Sequence, residues 1–455
     1  MRKFNWITFF VLLSFFISYS ISFSQETKKL SLEECIEIAL KNNSQLRNGE
    51  MDVKLANADM VTARSYILPN INSSFYSGRS IDGDQTRIGR VQLEDSLGTK
   101  YFVQQEYLIK GSERNDFYFR VQLTQNIWDW GRSFYTIKQA KLGQESTKLS
   151  LSSIQNTVIY DVKQRYFELL KAIKLGEVYE EAVKRSEEQL KRTEIMHQIG
   201  SVALADIYKA KVTLGNDQIN LITQKNLIIE AEANLNHALG LDPESPIRIK
   251  EGEGIFSNTK HTLEDALKMS LEKNPELKNY ELNIQNFKYE KRKANLAFLP
   301  TINGSATYSR YNELFDRVYK GLDQNYSVSV GAQIDLNIFK GFADKTEVQR
   351  QSLNYSKAQE DYVERKRVLK AQVTQAFLSL KAYKEISEIN DTNLVAAEED
   401  LRLAQESYKI GAGTLLELID AQLAVTQARS TLVTAKYNTQ IALAYLESLM
   451  NTVEE

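Results

Sequence analysis

The stretch Tyr326-Ser-Val-Ser-Val-Gly-Ala-Gln-Ile-Asp-Leu-Asn-Ile338 alternates without a break. Tyr326, Val328, Val330, Ala332, Ile334, Leu336 and Ile338 share one side, and Ser327, Ser329, Gly331, Gln333, Asp335 and Asn337 share the other. Successive side chains of a strand point to opposite faces, so this is a strand with one apolar and one wet face. A second such strand runs from Phe117 to Trp128, where Phe117, Phe119, Val121, Leu123 and Ile127 alternate with Tyr118, Arg120, Gln122 and Thr124. Each has a weaker partner upstream, at about residues 71–79 and 302–310, which makes two hairpins at about residues 70–130 and 301–339. A soluble sheet packs such an apolar face on a core; an outer-membrane barrel turns it to lipid. Alternation alone leaves both open. Four strands cannot close a barrel, so a barrel requires several chains. Trp128 and Trp130, at a strand end, suit an interfacial girdle.

Outside the hairpins the chain reads as helix of unusual length. From Arg132 to His197 there is no proline and only Gly143 and Gly176; from Phe342 to Ile410 there is neither residue. Some sixty residues at about 1.5 Å each make a rod of roughly 100 Å. Leu394, Ala397, Leu401, Ala404 and Tyr408 follow a coiled-coil spacing, and the returning helix is expected to answer with Leu416, Ile419, Leu423, Thr426, Ser430, Val433 and Tyr437. Between descending and returning helices lie Ile199-Gly200-Ser201 and Ile410-Gly411-Ala412-Gly413, where glycine can end a helix in the left-handed region.

These signals occur twice in the same order. Leu32-Glu-Glu-Cys opens a helix that Leu263-Glu-Asp-Ala repeats 231 positions later, and Leu-Pro-x-Ile-Asn recurs at Pro69 and Pro300 with the same offset. Gly200 and Gly411 are 211 apart, so the first half carries about 20 extra residues, which fall in the first hairpin's outer loop at about residues 81–113. The expected division is a signal peptide over 1–24, a first repeat over 25–242, a linker over 243–262 and a second repeat over 263–451. The signal is Arg2 and Lys3, an apolar run from Trp6 to Phe16 and small residues at Ser22 and Ser24.

The remaining composition excludes more than it assigns. A formal net charge of −2 gives no reason to expect nucleic acid. Cys35 is the only cysteine, so no internal disulfide forms, and it reads as a small buried residue on the first helix. His197, His237 and His261 lie on separate elements without a second ligand at metal spacing, and no nucleophile motif or phosphate loop is present. The chain reads as a non-enzyme without metal or cofactor.

The duplicated Leu-Glu helix start, the paired Leu-Pro-x-Ile-Asn, the Tyr408-x-x-Gly411 turn followed by Leu415-Leu-Glu-Leu-Ile-Asp-Ala-Gln422, and its first-half counterpart Gly200-Ser-Val-Ala-Leu-Ala-Asp206 resemble the TolC family of outer-membrane efflux proteins. The resemblance covers the chain from Leu30 to about Asn451. It implies an α+β membrane protein: a homotrimer in which each chain gives four strands to one twelve-stranded antiparallel β-barrel, continuous with a long α-helical coiled-coil barrel in the periplasm. It implies a passive exit duct of a tripartite efflux or type I secretion system, with a periplasmic adaptor and an inner-membrane efflux pump or ABC exporter as partners. A general diffusion porin or a secreted periplasmic coiled-coil scaffold are the alternatives. Carried onto this chain, the family's pore constriction falls on Glu417 and Asp420, and its tip latch on Asp206 and Tyr408. The adaptor-docking turns fall on Gly200, Ser201 and Val202 and on Gly411, Ala412, Gly413 and Thr414. The family's latch arginine, two residues after the second turn glycine, is replaced here by Gly413.

Overall fold

The computed structural model describes residues 29–250 and 261–452. The expected signal over 1–24 and residues 251–260 of the expected linker lie outside the described residues. The chain divides into two compact units, one holding Met51–Leu149 and Lys278–Val363, the other holding Ser150–Leu277, Glu364 onward and the segment before Glu50.

The helices are α1 (Leu32–Asn42), α2 (Ser44–Ser65), α3 (Arg132–Gln198), α4 (Leu204–Leu239), α5 (Leu263–Lys273), α6 (Pro275–Asn295), α7 (Asp316–Tyr319), α8 (Ala343–Lys409) and α9 (Leu415–Met450). The strands are β1 (Asn70–Asp82), β2 (Gln85–Glu94), β3 (Lys100–Ile109), β4 (Ser112–Trp128), β5 (Thr301–Asn312) and β6 (Tyr326–Asp335). Both α3 and α8 have 67 residues, and both α4 and α9 have 36. Among the described residues no helix is long and apolar enough to cross a membrane.

The first unit is built on an antiparallel sheet in the order β1-β4-β5-β6, with β1 and β6 at its edges. Phe119 faces Phe75 on β1 and Arg310 on β5, and Tyr308 faces Val121 and Val328. The apolar faces of the strands therefore coincide, as the alternation predicts. A bulge between Asn126 and Trp128 ends the regular pairing of β4 and β5. There Trp128 and Trp130 meet edge to face at 5.9 Å, and the Trp130 indole N–H donates to the Pro300 carbonyl at 2.8 Å.

Three sequence expectations need correction in these elements. The segment 81–113 is not a simple loop: it contains the β2–β3 ribbon, whose mixed apolar and charged residues hide the alternation. The last strand ends at Asp335, and Asn337 turns its amide to the Asp344 carboxylate at 2.7 Å near the start of α8. Over the first part of α9 the packed stripe differs from the expected one: Leu415, Leu418, Ala421, Val425 and Leu432 are buried, while Leu416 and Leu423 are 55% and 63% exposed; the stripe's last member, Tyr437, is buried as expected. A helix apolar on two sides offers two periodic stripes, and spacing alone does not say which meets the same chain.

In the second unit a hydrophobic core joins α1, α3, α4, the 247–249 segment and Tyr437 of α9 around Cys35, Val162, Tyr166, Leu235 and Leu239. Ser31 and Glu34 form a capping box that starts α1, as Thr262 and Asp265 do for α5. Leu30 pairs in parallel with Ile249, and the Tyr166 hydroxyl donates to the Lys250 carbonyl at 2.5 Å. Gly240 ends α4 at φ +70°, where a Cβ would come within 2.8 Å of the Asn42 carbonyl oxygen, so only glycine fits. Burial, reinforced by Glu34 and Glu33, pushes the Cys35 thiol up to about 12, leaving it an unreactive packing residue.

Candidate functional site

The two turns at the ends of the long helices hold nearly every residue singled out from the sequence. Each closes α3 or α8 by the same device. Gly200 N–H donates to His197 O at 2.9 Å and Ser201 N–H to Met196 O at 2.8 Å; Gly411 N–H donates to Tyr408 O at 3.1 Å and Ala412 N–H to Ser407 O at 2.9 Å. Gly200 and Gly411 have φ of +74° and +77°. These are Schellman-type ends, and the left-handed residue is what requires glycine.

Beyond the glycine the turns diverge. In the first, the His197 ring Nδ1 lies 3.0 Å from the Val202 carbonyl oxygen, donating in its Nδ1-protonated form. In the second, Gly413 N–H donates to Ser407 O at 3.0 Å, and a Cβ on Gly413 would lie 3.1 Å from Ser407 Cβ and 3.2 Å from Tyr408 N. The backbone thus folds back closely enough that a side chain would have to push its neighbours by a few tenths of an ångström, at the place where the family resemblance expects arginine.

The following helices also begin differently. Ala203 caps α4 without a side-chain bond. Thr414 caps α9 through a full capping box: Glu417 N–H donates to Thr414 Oγ1 at 3.2 Å, and Thr414 N–H to Glu417 Oε2 at 2.9 Å. Glu417 is therefore held against its own helix end, a role that the Thr-x-x-Glu spacing signals and that the pore assignment overlooked. Asp420, one turn on, is exposed and has no hydrogen-bond or ion-pair partner among the described residues. At the matching positions of α4, Asp206 pairs with Lys209 at 3.4 Å. Asp206 and Tyr408 are not bonded to each other within one chain; the Tyr408 hydroxyl instead meets Met196 Sδ at 3.6 Å.

Above the turns a charged cluster joins helices of both halves, and sequence reasoning missed it. Arg429 on α9 bonds Glu181 on α3 and Glu398 on α8, the latter at 2.8 Å. Arg185 on α3 donates to Thr426 Oγ1 of α9 at 3.0 Å. Burial, then the neighbouring Arg429, lowers the Arg185 pKa, while burial raises that of Asp217 on α4 against the opposing pull of Ser186 and Arg185. Arg185, Asp217 and Thr426 line a groove of about 450 Å³ between α3, α4 and α9. Nothing in spacing reveals this cluster, because its members come from four separate helices.

The sheet is apolar along one face and open at two edges, and among the described residues no helix is long and apolar enough to cross a membrane. The chain belongs to the outer membrane efflux protein family, whose model matches residues 35–241 and 266–452. It is an outer-membrane efflux channel protein. It is 24% identical over 465 residues to outer membrane protein TolC of Escherichia coli strain K12, covering 98% of this chain and 87% of that one. It is also 24% identical over 398 residues to protein CyaE of Bordetella pertussis, covering 86% of this chain and 78% of that one. Among solved structures, the CmeC outer membrane channel of Campylobacter jejuni superimposes with a TM-score of 0.77 at 18% identity, over 92% of this chain and 85% of that one. CusC does so with a TM-score of 0.77 at 15% identity, over 93% and 92%.

Proposed function

We propose that three copies of this chain form the passive exit duct of a tripartite efflux or type I secretion system. The observation that carries the reading is the open sheet. Its four strands run alternately up and down, so β6 of one copy meets β1 of the next antiparallel, and three copies close into twelve strands with no free edge. The unpaired edges and the second apolar stripe of α9, with Leu416 and Leu423 exposed, both call for a neighbouring copy. In this reading 25–242 and 263–451 are the two structural repeats joined by 243–262, and the repeats' helices continue the barrel as a periplasmic coiled-coil tunnel.

Three copies bring Glu417 and Asp420 to one axis as acidic rings that favour cations. Asp206 and Tyr408 belong to the polar latch between helix hairpins that holds the tip closed. The turns Gly200–Val202 and Gly411–Thr414 receive a periplasmic adaptor, which couples the duct to an inner-membrane efflux pump or ABC exporter. The energy comes from that pump.

The trimer is tested by native mass measurement of the protein extracted from outer membranes; a monomer in the soluble periplasmic fraction would sink the reading. For the rings, single-channel recording of Glu417→Ala with Asp420→Ala is expected to lose cation preference. Unchanged selectivity removes both residues from the pore.

A further inference from the structure

At the end of the sheet away from α2 and α3, the chain continues from β1 into β2 and from β3 into β4. The β2–β3 ribbon belongs to no larger sheet. Its root is tight: Asp82 and Ser112 are the last paired residues below it, Gly111 N–H donates to the Asp84 carboxylate at 2.6 Å, and a Cβ on Gly111 would collide with the Asp82 carbonyl oxygen.

The pairing of Val91 with Val103 and of Leu93 with Tyr101 sorts the ribbon's side chains into two unlike faces. One carries Val91, Leu93, Tyr101, Val103, Tyr107 and Ile109 with Arg87 as its single charge. The other carries four charges, Arg90, Glu94, Lys100 and Glu106, interleaved with the exposed Ile88, Phe102 and Leu108, so the faces differ in charge and in the continuity of their apolar surface. Gly89 belongs to the first face and is filled by Tyr107, whose Cε1 would lie 2.7 Å from a Cβ there, so the ring extends the apolar surface across the gap. In the single chain this face stays open, with Leu93 41% and Tyr107 48% exposed.

A ribbon of two strands without a third strand or a covering layer is marginal in water. Something must cover the apolar face. We propose that it is covered by the same face of the other copies, so that three ribbons turned toward the three-fold axis form a collar around the outer mouth of the channel. This rests on the trimer proposed above. The favoured occupant follows from attachment: β2 leaves directly from β1, the edge strand that meets the neighbouring copy. Each ribbon therefore rises beside another at high effective concentration. Three-fold symmetry turns identical faces to one axis and leaves the four-charge faces in water.

Engineered cysteines test this in the full chain, because the one native cysteine, Cys35, is fully buried. Val91→Cys and Leu93→Cys lie on the apolar face; Ile88→Cys and Gln92→Cys lie on the same strand and face the other way. On mild oxidation of intact cells the first pair is expected to give disulfide-linked dimers several-fold above the second. Equal yields, the reverse order, or no dimers from either pair overturn the collar. So does quenching of a fluorophore on Val91→Cys by nitroxide-labelled lipid, which would place the face on the membrane surface. Native mass of the same samples separates the two failures: a trimer without cross-links ends the collar alone, and absence of a trimer ends the duct reading too.

Discussion

The two turns that close the long helices share a backbone and differ in chemistry. In the first, Asp206 is neutralised by Lys209, Ala203 offers no cap, and a side-chain imidazole fastens the loop. In the second, Asp420 replaces the lysine position, a capping box occupies Glu417, and the loop is fastened by backbone alone through Gly413. One hairpin end is charge-balanced and loosely started. The other is doubly acidic and firmly started. In the proposed trimer, acidity gathered at a capped helix start would form a fixed ring around the axis, which is why the second turn is the one assigned to the gate.

Swapping the unlike positions should break this contrast in a graded way. The largest effect is expected from Gly413→Arg, which forces a side chain against Ser407 and the Tyr408 backbone. Thermal unfolding should show a loss of about 1–3 kcal/mol. Its first-turn counterpart, Val202→Arg, should stay within about 0.5 kcal/mol. Next comes the cap: Thr414→Ala should cost about 1 kcal/mol and speed amide exchange in the first turn of α9, while Ala203→Thr, at an extended backbone already suited to a cap, should slow exchange in α4.

Arg429→Ala should cost about 0.5–1 kcal/mol, because its carboxylate partners are half exposed and water screens the pairs. A double-mutant cycle with Glu181→Ala checks it; at the matching first-half position, Gln218→Ala should do nothing measurable. The smallest effect concerns Asp217, whose matching residue in α9 is Ala428. Its folded pKa is raised by burial, so the wild type should lose stability as pH rises from the ordinary 3.8 through the raised value. Asp217→Asn should lack that slope, equal in stability at lower pH and more stable above, in urea melts across the range.

Much of the fold was legible because it rests on local rules. Alternation marked β4 and β6, the absence of proline and scarcity of glycine marked α3 and α8, and Gly200 and Gly411 marked their ends. The β2–β3 ribbon was not legible: its strands mix charges with aromatics, and its pairing is decided by the partner strand. At the candidate site, Glu417 and Asp420 were found by position, but the capping role of Glu417 competes with the same reading. The Arg429 cluster lay beyond reach because Glu181 and Arg429 are 248 residues apart.

The sequence by itself determined the long helices and the four strands of the main sheet, where the helices turn, and that the two halves carry unlike charges at matching turns. These follow from periodicity and from backbone freedom, which are properties of neighbouring residues. Only the tertiary structure decided which stripe of α9 packs inside, how tightly Gly413 is packed against Ser407, and which faces of the sheet edges and ribbon remain open. Those depend on what lies across space from each residue, and burial is set by the partner surface as much as by the residue itself.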